Sequence, residues 1–175
     1  MFFLIKMINL SLELIQNILE FLDLKNQIIL KSLCKNYYDG LRIYDFYNIS
    51  RHYKDKLNDE ILKSYSYVKY LDASNNFKIT NINHMTNLKK LNASRNCGIN
   101  NEGIKNLNLI KLDMNNNISN KELKNLNLIK LSLVNNDKIK NLNHMTKLKK
   151  LNASAGNCII SDKSIKGLNL IELQK

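Results

Sequence analysis

The sequence predicts an α/β protein in which a small N-terminal module of three helices precedes a solenoid with a parallel β-sheet on its concave face. Two observations support this fold class. From residue 68 onward, one nine-residue pattern returns at intervals of roughly twenty residues, and a unit this short buries its apolar residues only by stacking on its neighbours. Before residue 68, apolar residues follow helical spacing and the pattern is missing. The predicted regions are an extension at 1–9, the helical module at 10–40, an aromatic-rich linker or N-terminal cap at 41–67, and a solenoid of about five to six repeats at 68–175.

The repeat has the pattern Leu-x-x-Leu-x-Leu-x-x-Asn, with some positions varied. Its central Leu-x-Leu alternates between interior and surface, as expected of a short strand with one buried face. The second leucine of each unit anchors the core, and these anchors are Leu71, Leu91, Leu112, Leu131, Leu151 and Leu173. The closing amide lies where the chain turns inward, and we expect it to satisfy backbone groups that the turn leaves in the interior. The predicted structural turn residues are Asn76, Asn96, Asn117 and Asn136.

The outward strand positions line the concave face, which is the surface that solenoids commonly use for binding. The predicted partner-binding residues on it are Tyr70, Asp72, Lys90, Asn92, Lys111, Asp113, Lys130, Ser132, Lys150 and Asn152. Four of them are lysines at equivalent positions of successive coils, and a strand spacing of ~4.8 Å makes this row about 14 Å long. The row suits an acidic target segment. A general preference for lysine at surface positions explains it equally well.

The first third of the chain predicts three short helices. Helical spacing places the apolar residues of the first on one broad stripe: Leu10, Leu14, Ile15, Ile18, Leu19 and Leu22. The second helix is predicted from Gln27 to Cys34, and the third from Lys35 to about Gly40. Domains below ~40 residues rarely hold together without a staple or a partner. We therefore expect part of the apolar surface of this module to bind a partner.

The residues of this module resemble the F-box. The first segment reads Leu10-Ser-Leu-Glu13-Leu14-Ile-Gln-Asn-Ile18-Leu19-Glu-Phe21-Leu22-Asp23, and the second reads Leu30-Lys-Ser-Leu33-Cys34-Lys35-Asn-Tyr37-Tyr38. The family pattern runs Leu-Pro-x-Glu-hydrophobic, then Ile-Leu-x-x-Leu-Asp, then Leu-x-x-Val-Cys-Lys-x-Trp/Tyr, and the spacing here matches it without a gap. Ser11 stands where the family usually has proline.

Together with the repeats that follow, the module makes the chain resemble the F-box/leucine-rich-repeat proteins, the substrate-recruiting subunits of SCF-type ubiquitin ligases. This resemblance implies a noncatalytic adaptor that docks on the Skp-family component of a cullin-RING ligase and presents a target protein. The positions that match the family's adaptor-facing pattern are Leu10, Leu14, Ile18, Leu19, Leu22 and Leu33. The lysine- and asparagine-rich composition is also similar to F-box and repeat proteins encoded by large DNA viruses, which implies that the ligase is the host's.

The segment at 41–67 is rich in aromatic residues and poor in the Gly, Ser and Pro that mark flexible or extended linkers. Its aromatic residues are Tyr44, Phe46, Tyr47, Tyr53, Tyr65 and Tyr67. We expect them to pack on the first coil and to seal its apolar end.

Composition leaves two other functions open. The formal net charge of +12 would suit a surface that binds nucleic acid, although lysine-rich composition explains the charge as well. A protein-interaction scaffold without a link to a ligase is the other alternative. No enzyme activity is predicted, because the sequence has no nucleophile beside a base and no glycine-rich phosphate loop. Neither a metal nor another cofactor is expected, since the His84/Cys97 pair and its echo His144/Cys158 lie about 14 Å apart, too far for one zinc ion.

Three cysteines without paired spacing argue against a secreted disulfide framework. No apolar run approaches the ~20 residues of a membrane span, and the apolar start is interrupted by Lys6 without a following cleavage site. We therefore expect an intracellular protein of the cytoplasm or nucleus of a eukaryotic or host cell. The sixth repeat ends directly after its strand, so we also expect self-association through this uncapped repeat.

Overall fold

A seven-stranded parallel sheet runs through the molecule, with its strands in chain order. The computed structural model describes residues 11–33, 40–114, 118–133, 135–154, 158 and 160–175. The strands are β1 (Asp45–Phe46), β2 (Tyr70–Asp72), β3 (Lys90–Ala93), β4 (Lys111–Met114), β5 (Lys130–Leu133), β6 (Lys150–Asn152) and β7 (Glu172–Gln174). Helices precede this sheet, so the predicted α/β class, a helical module followed by a parallel-strand solenoid, is confirmed.

The described part of the N-terminal module contains two helices of ten residues, α1 (Leu12–Phe21) and α2 (Leu24–Leu33). Ser11 caps α1, because its hydroxyl oxygen accepts a hydrogen bond from the backbone N–H of Leu14 at 3.2 Å. Ser11, which stands where the F-box family usually has proline, thus starts the helix by capping it. The predicted third helix falls largely on 34–39, outside the described residues. Within the described ranges, no helix has the length and apolarity needed to cross a membrane.

The helical module is fixed to the chain that leads into the sheet. Ile15 and Leu19 are fully buried in the same apolar core as the solenoid. Gln16 makes two hydrogen bonds with the backbone of Arg42: its Nε2 donates to the carbonyl oxygen at 2.8 Å, and its Oε1 accepts from the N–H at 2.7 Å. The Lys31 ammonium donates to the carbonyl oxygen of Leu41 at 2.8 Å. Apolar packing and hydrogen bonds between side chains and the backbone therefore hold the helices against the first coil.

The sheet begins before the first sequence repeat. In β1, Asp45 pairs with Tyr70 and Phe46 pairs with Leu71, so the aromatic-rich segment supplies a strand of its own. The Phe46 ring is buried and lies 5.0 Å from the ring of Tyr65. Two short helices follow, α3 (Arg51–Lys54) and α4 (Asp59–Lys63). This segment closes the apolar end of the solenoid with one additional coil.

Each later coil adds one strand in the same register. Leu71, Leu91, Leu112, Leu131 and Leu151 form one buried row along the sheet. Three of the segments that return to the next strand contain one helical turn: a 3-10 turn at Glu102–Ile104, α5 (Asn120–Leu123) and a second 3-10 turn at Asp162–Ser164. A coil of about twenty residues leaves no room for a longer helix on its outer side.

The turn asparagines do not all lie inside the solenoid. Asn76 and Asn136 are buried, and Asn76 Nδ2 donates to the carbonyl oxygens of Lys54 and Leu57, both at 2.9 Å. Asn96 is exposed, which corrects the prediction at that position.

Backbone geometry explains the exception at Asn96. In the first unit the left-handed residue, Asn75, directly precedes the buried one. In the second unit the left-handed residue is Arg95, and the buried residue comes two positions later, at Cys97. The turn is therefore one residue longer, and the interior position passes to the cysteine. Asn117 lies outside the described residues.

The last strand has less cover than the others. Leu173 of β7 is 44% exposed, whereas its register partner Leu151 is 1% exposed. Ile171, directly before β7, is also exposed.

Candidate interaction surfaces

The helix α1 has two apolar faces. Ile15 and Leu19, four residues apart, point into the core and are fully buried. Leu14, Ile18 and Phe21 share a different side of the helix, because residues three and four apart lie above one another. Leu14 is 45% exposed and Phe21 is 92% exposed, while Ile18 is half-buried. Hydrophobic side chains of this size rarely remain open to water in such a group without a binding role.

The helix α2 repeats this arrangement. Gln27 and Leu30 are buried against the rest of the protein, and Ile28 and Ile29 are exposed to a degree similar to Leu14. We use the name outer helical surface for five exposed or half-buried apolar residues of the two helices, without Leu12, which is 43% exposed but lies on another side of α1. These residues are Leu14, Ile18, Phe21, Ile28 and Ile29.

The six predicted adaptor-facing residues have different positions in the structure. Leu14 lies on the outer helical surface, as does the half-buried Ile18, and Leu22 is half-buried against the core. Leu19 is fully buried, so its prediction as a contact residue is wrong: it packs in the core and leaves nothing for a partner to touch. Leu10 and the side chain of Leu33 lie outside the described part of the chain.

Three exposed residues of the outer helical surface, Phe21, Ile28 and Ile29, were absent from the prediction. The signal for Phe21 is its helical distance of seven residues from Leu14, which places both on one face. Their role in binding a partner stays a prediction.

Strand register brings the predicted concave-face residues together in two rows. The first row is Tyr70, Lys90, Lys111, Lys130, Lys150 and Glu172, and the second is Asp72, Asn92, Asp113, Ser132, Asn152 and Gln174. Both rows are those that the repeat pattern predicts. The strand register does not test whether the residues of these rows contact a target, so that contact stays a prediction.

Part of the concave face is already occupied by the protein itself. Tyr47, directly after β1, reaches across the sheet, and its hydroxyl donates to Asp113 Oδ2 at 3.0 Å. The Lys90 ammonium lies 3.3 Å from the centroid of the Tyr47 ring, a cation–π contact. Burial raises the pKa of the Tyr47 hydroxyl, and the Asp113 carboxylate raises it further. Burial also lowers the pKa of Lys90, with a smaller contribution from the neighbouring Lys111.

A second contact covers the neighbouring coil. The Lys54 ammonium, at the end of α3, donates to Asp72 Oδ2 at 2.7 Å and to Ser74 Oγ at 2.6 Å. Because Lys54 and Tyr47 both come from residues 45–54, we call this segment the strap. The sequence predicts that Tyr47 helps to seal the first coil. The repeat pattern does not show that the Tyr47 side chain reaches β4.

The remaining lysines of the row differ in their partners. Lys111 lies 3.4 Å from Asp113 Oδ2, and Lys150 forms an ion pair with Glu172. Lys130 has no ion-pair partner among the described residues. A shallow depression of about 270 Å³ follows these strands, and its floor includes Ser132. The part of the concave face formed by β5–β7 is therefore open, and it carries the Glu172 carboxylate as well as lysines.

Metal chemistry has no site among the described residues. No group of three or more His, Cys, Asp or Glu side chains in those ranges lies close enough to hold an ion. His84 instead contacts the carbonyl oxygen of Leu62 through its Nε2 at 2.9 Å, which gives it a structural role between coils.

Comparison with known families gives one match. Residues 7–48 match the F-box domain, a range that includes α1, α2 and β1 and about a quarter of the chain. No curated protein matches the chain. The match and the parallel-strand solenoid together fit an F-box/repeat protein. Neither observation bears on a viral origin, which stays a prediction.

Proposed function

We propose that the chain recruits a target protein to a cullin-RING ubiquitin ligase, binding the Skp-family adaptor through its F-box domain and the target through its concave face. F-box domains typically bind Skp-family adaptors, and F-box proteins are generally noncatalytic. The observation that carries the proposal is the outer helical surface, which turns apolar side chains away from the solenoid. The proposal places the protein in the cytoplasm or nucleus of a eukaryotic or host cell, where such ligases operate.

The size of the outer helical surface sets what adaptor binding can gain. Fully burying a large aliphatic or aromatic side chain contributes about 1.5–3 kcal/mol. The five residues start roughly half exposed on average, so completing their burial contributes on the order of 4–7 kcal/mol. Association itself costs about 4–15 kcal/mol. This gain is at most comparable with the cost, so binding depends on every one of these residues and on further contacts, and a charge placed on one of them should abolish measurable binding.

The proposed mechanism is proximity. An adaptor that holds the target next to the ligase raises its effective concentration there without taking part in the chemistry. The firm attachment of α1 through Ile15, Leu19 and the Gln16–Arg42 hydrogen bonds supports this role, because it fixes the distance between the two binding surfaces.

The open half of the concave face is the proposed target site. On β2–β4, Asp72, Lys90 and Asp113 are engaged by the strap. On β5 and β6, Ser132 and Asn152 offer hydrogen-bonding groups beside the ammonium of Lys130. This combination favours a polar target segment that brings a carboxylate to Lys130.

The adaptor half of the proposal is tested with a purified Skp-family adaptor. We expect the wild-type chain to bind it and Leu14→Asp to lose binding, because the carboxylate would be buried in the interface without a partner. Ile110→Asp is the matched control, since Ile110 is 43% exposed but lies on the solenoid flank. Failure of the wild-type chain to bind would leave a scaffold without a ligase link.

The target half is tested separately. Proteins that the wild-type chain retains and Lys130→Glu loses, but Lys140→Glu keeps, are candidates for a target of the open concave half. Lys140 is an exposed lysine outside the strands and serves as the control for charge alone. Equal losses with both variants would contradict this site. Retention of nucleic acid, tested with arbitrary duplexes across a salt titration, would support the basic-surface alternative instead.

Self-association is the remaining part of the proposal. The exposed Ile171 and Leu173 favour contact between copies of the 175-residue chain. Sedimentation at increasing concentration should show an association that Leu173→Lys weakens, and a monomer at every concentration would contradict it.

A further inference from the structure

A cleft of about 470 Å³ lies where the helical module meets the strap. One side comes from the junction of α1 and α2, with Glu20, Leu22 and Leu24, and the other comes from Asp45, Ile49 and Tyr53. The cleft is separate from the outer helical surface and from the open half of the concave face. The proposed function does not use it.

Gln27 is the unusual residue of this cleft. It is only 8% exposed, and its Nε2 donates to the carbonyl oxygen of Leu22 at 2.8 Å. Its Oε1 has no hydrogen-bond partner in the described part of the chain. A buried acceptor without a donor costs about 1–3 kcal/mol, so a group that donates to this oxygen would be favoured. The orphan acceptor therefore points to a ligand with N–H or O–H groups.

The charge of the cleft is opposite to that of the whole chain. Three carboxylates, those of Glu20, Asp23 and Asp45, line it beside the single cation of Lys25, although the formal net charge of the protein is +12. Asp23 is already occupied, because its two oxygens accept hydrogen bonds from Asn26.

Two carboxylates remain for a ligand to reach. Asp45 Oδ1 accepts from the backbone N–H of Tyr47 at 2.6 Å, which leaves Oδ2 with a contact to Asn48 at 3.5 Å. Glu20 has a long contact with Gln16 at 3.4 Å. Both residues, like Gln27, also line a neighbouring cavity of about 200 Å³. Arg42 and Lys69 line that cavity as well, and a cationic donor in the cleft would meet Asp45 Oδ2 and the Glu20 carboxylate, whose hydrogen bonds to described residues are long.

We propose that this cleft binds a guanidinium group on an aliphatic stem, as in an arginine side chain. Leu22, Leu24 and Ile49 supply apolar walls for the methylene groups. A planar guanidinium carries five N–H donors, so it can donate to Gln27 Oε1 and to a carboxylate at the same time. Because the walls come from both the helices and the strap, the bound group also braces one against the other.

The first test titrates the full chain, without any adaptor, with Nα-acetyl-arginine amide and with the neutral analogue Nα-acetyl-citrulline amide. We expect saturable binding of the arginine compound, with shifts of the Gln27 side-chain amide signals in NMR spectra, and at least about tenfold weaker binding of the citrulline compound. Equal binding of the two compounds, or no saturable binding of either, would overturn the proposal.

A pair of variants locates the site. Glu20→Gln should weaken binding of the arginine compound by about tenfold, because it removes a charge-assisted hydrogen bond. Glu13→Gln, on the same helix but outside the cleft, should leave affinity unchanged. Equal affinities of wild type and Glu20→Gln, with unchanged thermal melting, would contradict the site.

An arginine-containing tripeptide that binds as well as the blocked amino acid identifies a protein side chain as the ligand, and binding of the single amino acid alone identifies a small molecule. This test does not depend on adaptor binding.

Discussion

Tyr47→Phe should destabilise the protein although the substitution removes only one oxygen atom. The Tyr47 hydroxyl donates to Asp113 Oδ2 at 3.0 Å, across the strands of the sheet. A hydrogen bond to a charged group contributes about 1.5–3 kcal/mol. Asp113 keeps Lys111 as a neighbour at 3.4 Å, so the carboxylate does not lose all compensation. We therefore expect a loss of about 1–2 kcal/mol of unfolding free energy, a fall of roughly 2–8 °C in melting temperature for a chain of this size.

A double-mutant cycle isolates this interaction from the rest of the ring. Tyr47→Phe keeps the aromatic ring under Lys90, and Asp113→Asn removes the charge of the acceptor. Chemical denaturation of the wild type, the two single variants and the double variant should give a coupling energy of about 1 kcal/mol. A coupling energy below about 0.3 kcal/mol, within the range of independent sites, would refute the claim that the strap is tied to the sheet through this bond.

The effect of Tyr47→Phe on the unfolding free energy should also depend on pH, in a direction that the pKa of Tyr47 sets. Burial raises the pKa of Tyr47 in the folded protein, while the unfolded chain ionises near pH 10. The stabilisation by the hydroxyl is therefore fully present below about pH 10 and decreases as the pH rises above it. The difference in unfolding free energy between wild type and Tyr47→Phe should shrink between about pH 10 and 11. A difference that grows over this range would contradict the assigned donor.

Two further predictions use matched pairs within the chain. Asn76→Leu should cost about 2–4 kcal/mol in chemical denaturation, because two buried carbonyl oxygens lose their donor, whereas Asn96→Leu at the exposed equivalent should change the unfolding free energy by less than about 0.5 kcal/mol. Similar costs would contradict the different turn geometries. Burial raises the pKa of Cys97 to about 11, so roughly one thousandth of it is thiolate at pH 8. Iodoacetamide, followed by peptide mass spectrometry, should label the half-buried Cys158 faster, and equal rates would contradict the burial of Cys97.

The solenoid was predictable because its information is repeated. One strand pattern that recurs every twenty or so residues fixes which residues enter the core and which share a row, and register then follows from stacking. The row of leucines that begins at Leu71 and the row of lysines that begins at Lys90 both follow from the repeat pattern alone. The strand β1 carries no copy of the repeat pattern, and its two residues are too few to show an alternation of apolar and polar side chains. In the sequence, only the aromatic-rich segment marks its position.

The sequence does not show which side of α1 packs on the solenoid and which side faces outward, for a physical reason. Apolar residues occupy both sides of this helix, so hydrophobic spacing cannot show which side meets the solenoid. Leu19 packs inward and Phe21 points outward, because residues two positions apart lie on opposite sides of a helix, and both sides here are apolar. The occupied half of the concave face was missed for a similar reason. The long-range contact from Tyr47 to Asp113 joins residues 66 positions apart, and local sequence patterns do not encode such a contact.

The affinity of a purified Skp-family adaptor for three forms of the chain shows whether the outer helical surface is the adaptor site. The forms are wild type, Phe21→Asp and Phe77→Asp, because Phe21 and Phe77 are both strongly exposed phenylalanines, at 92% and 73%, and only Phe21 belongs to the outer helical surface. We expect saturable binding of wild type and Phe77→Asp in calorimetry, and loss of binding for Phe21→Asp with an unchanged melting temperature. Binding of all three forms with equal affinity, or of none, would contradict it.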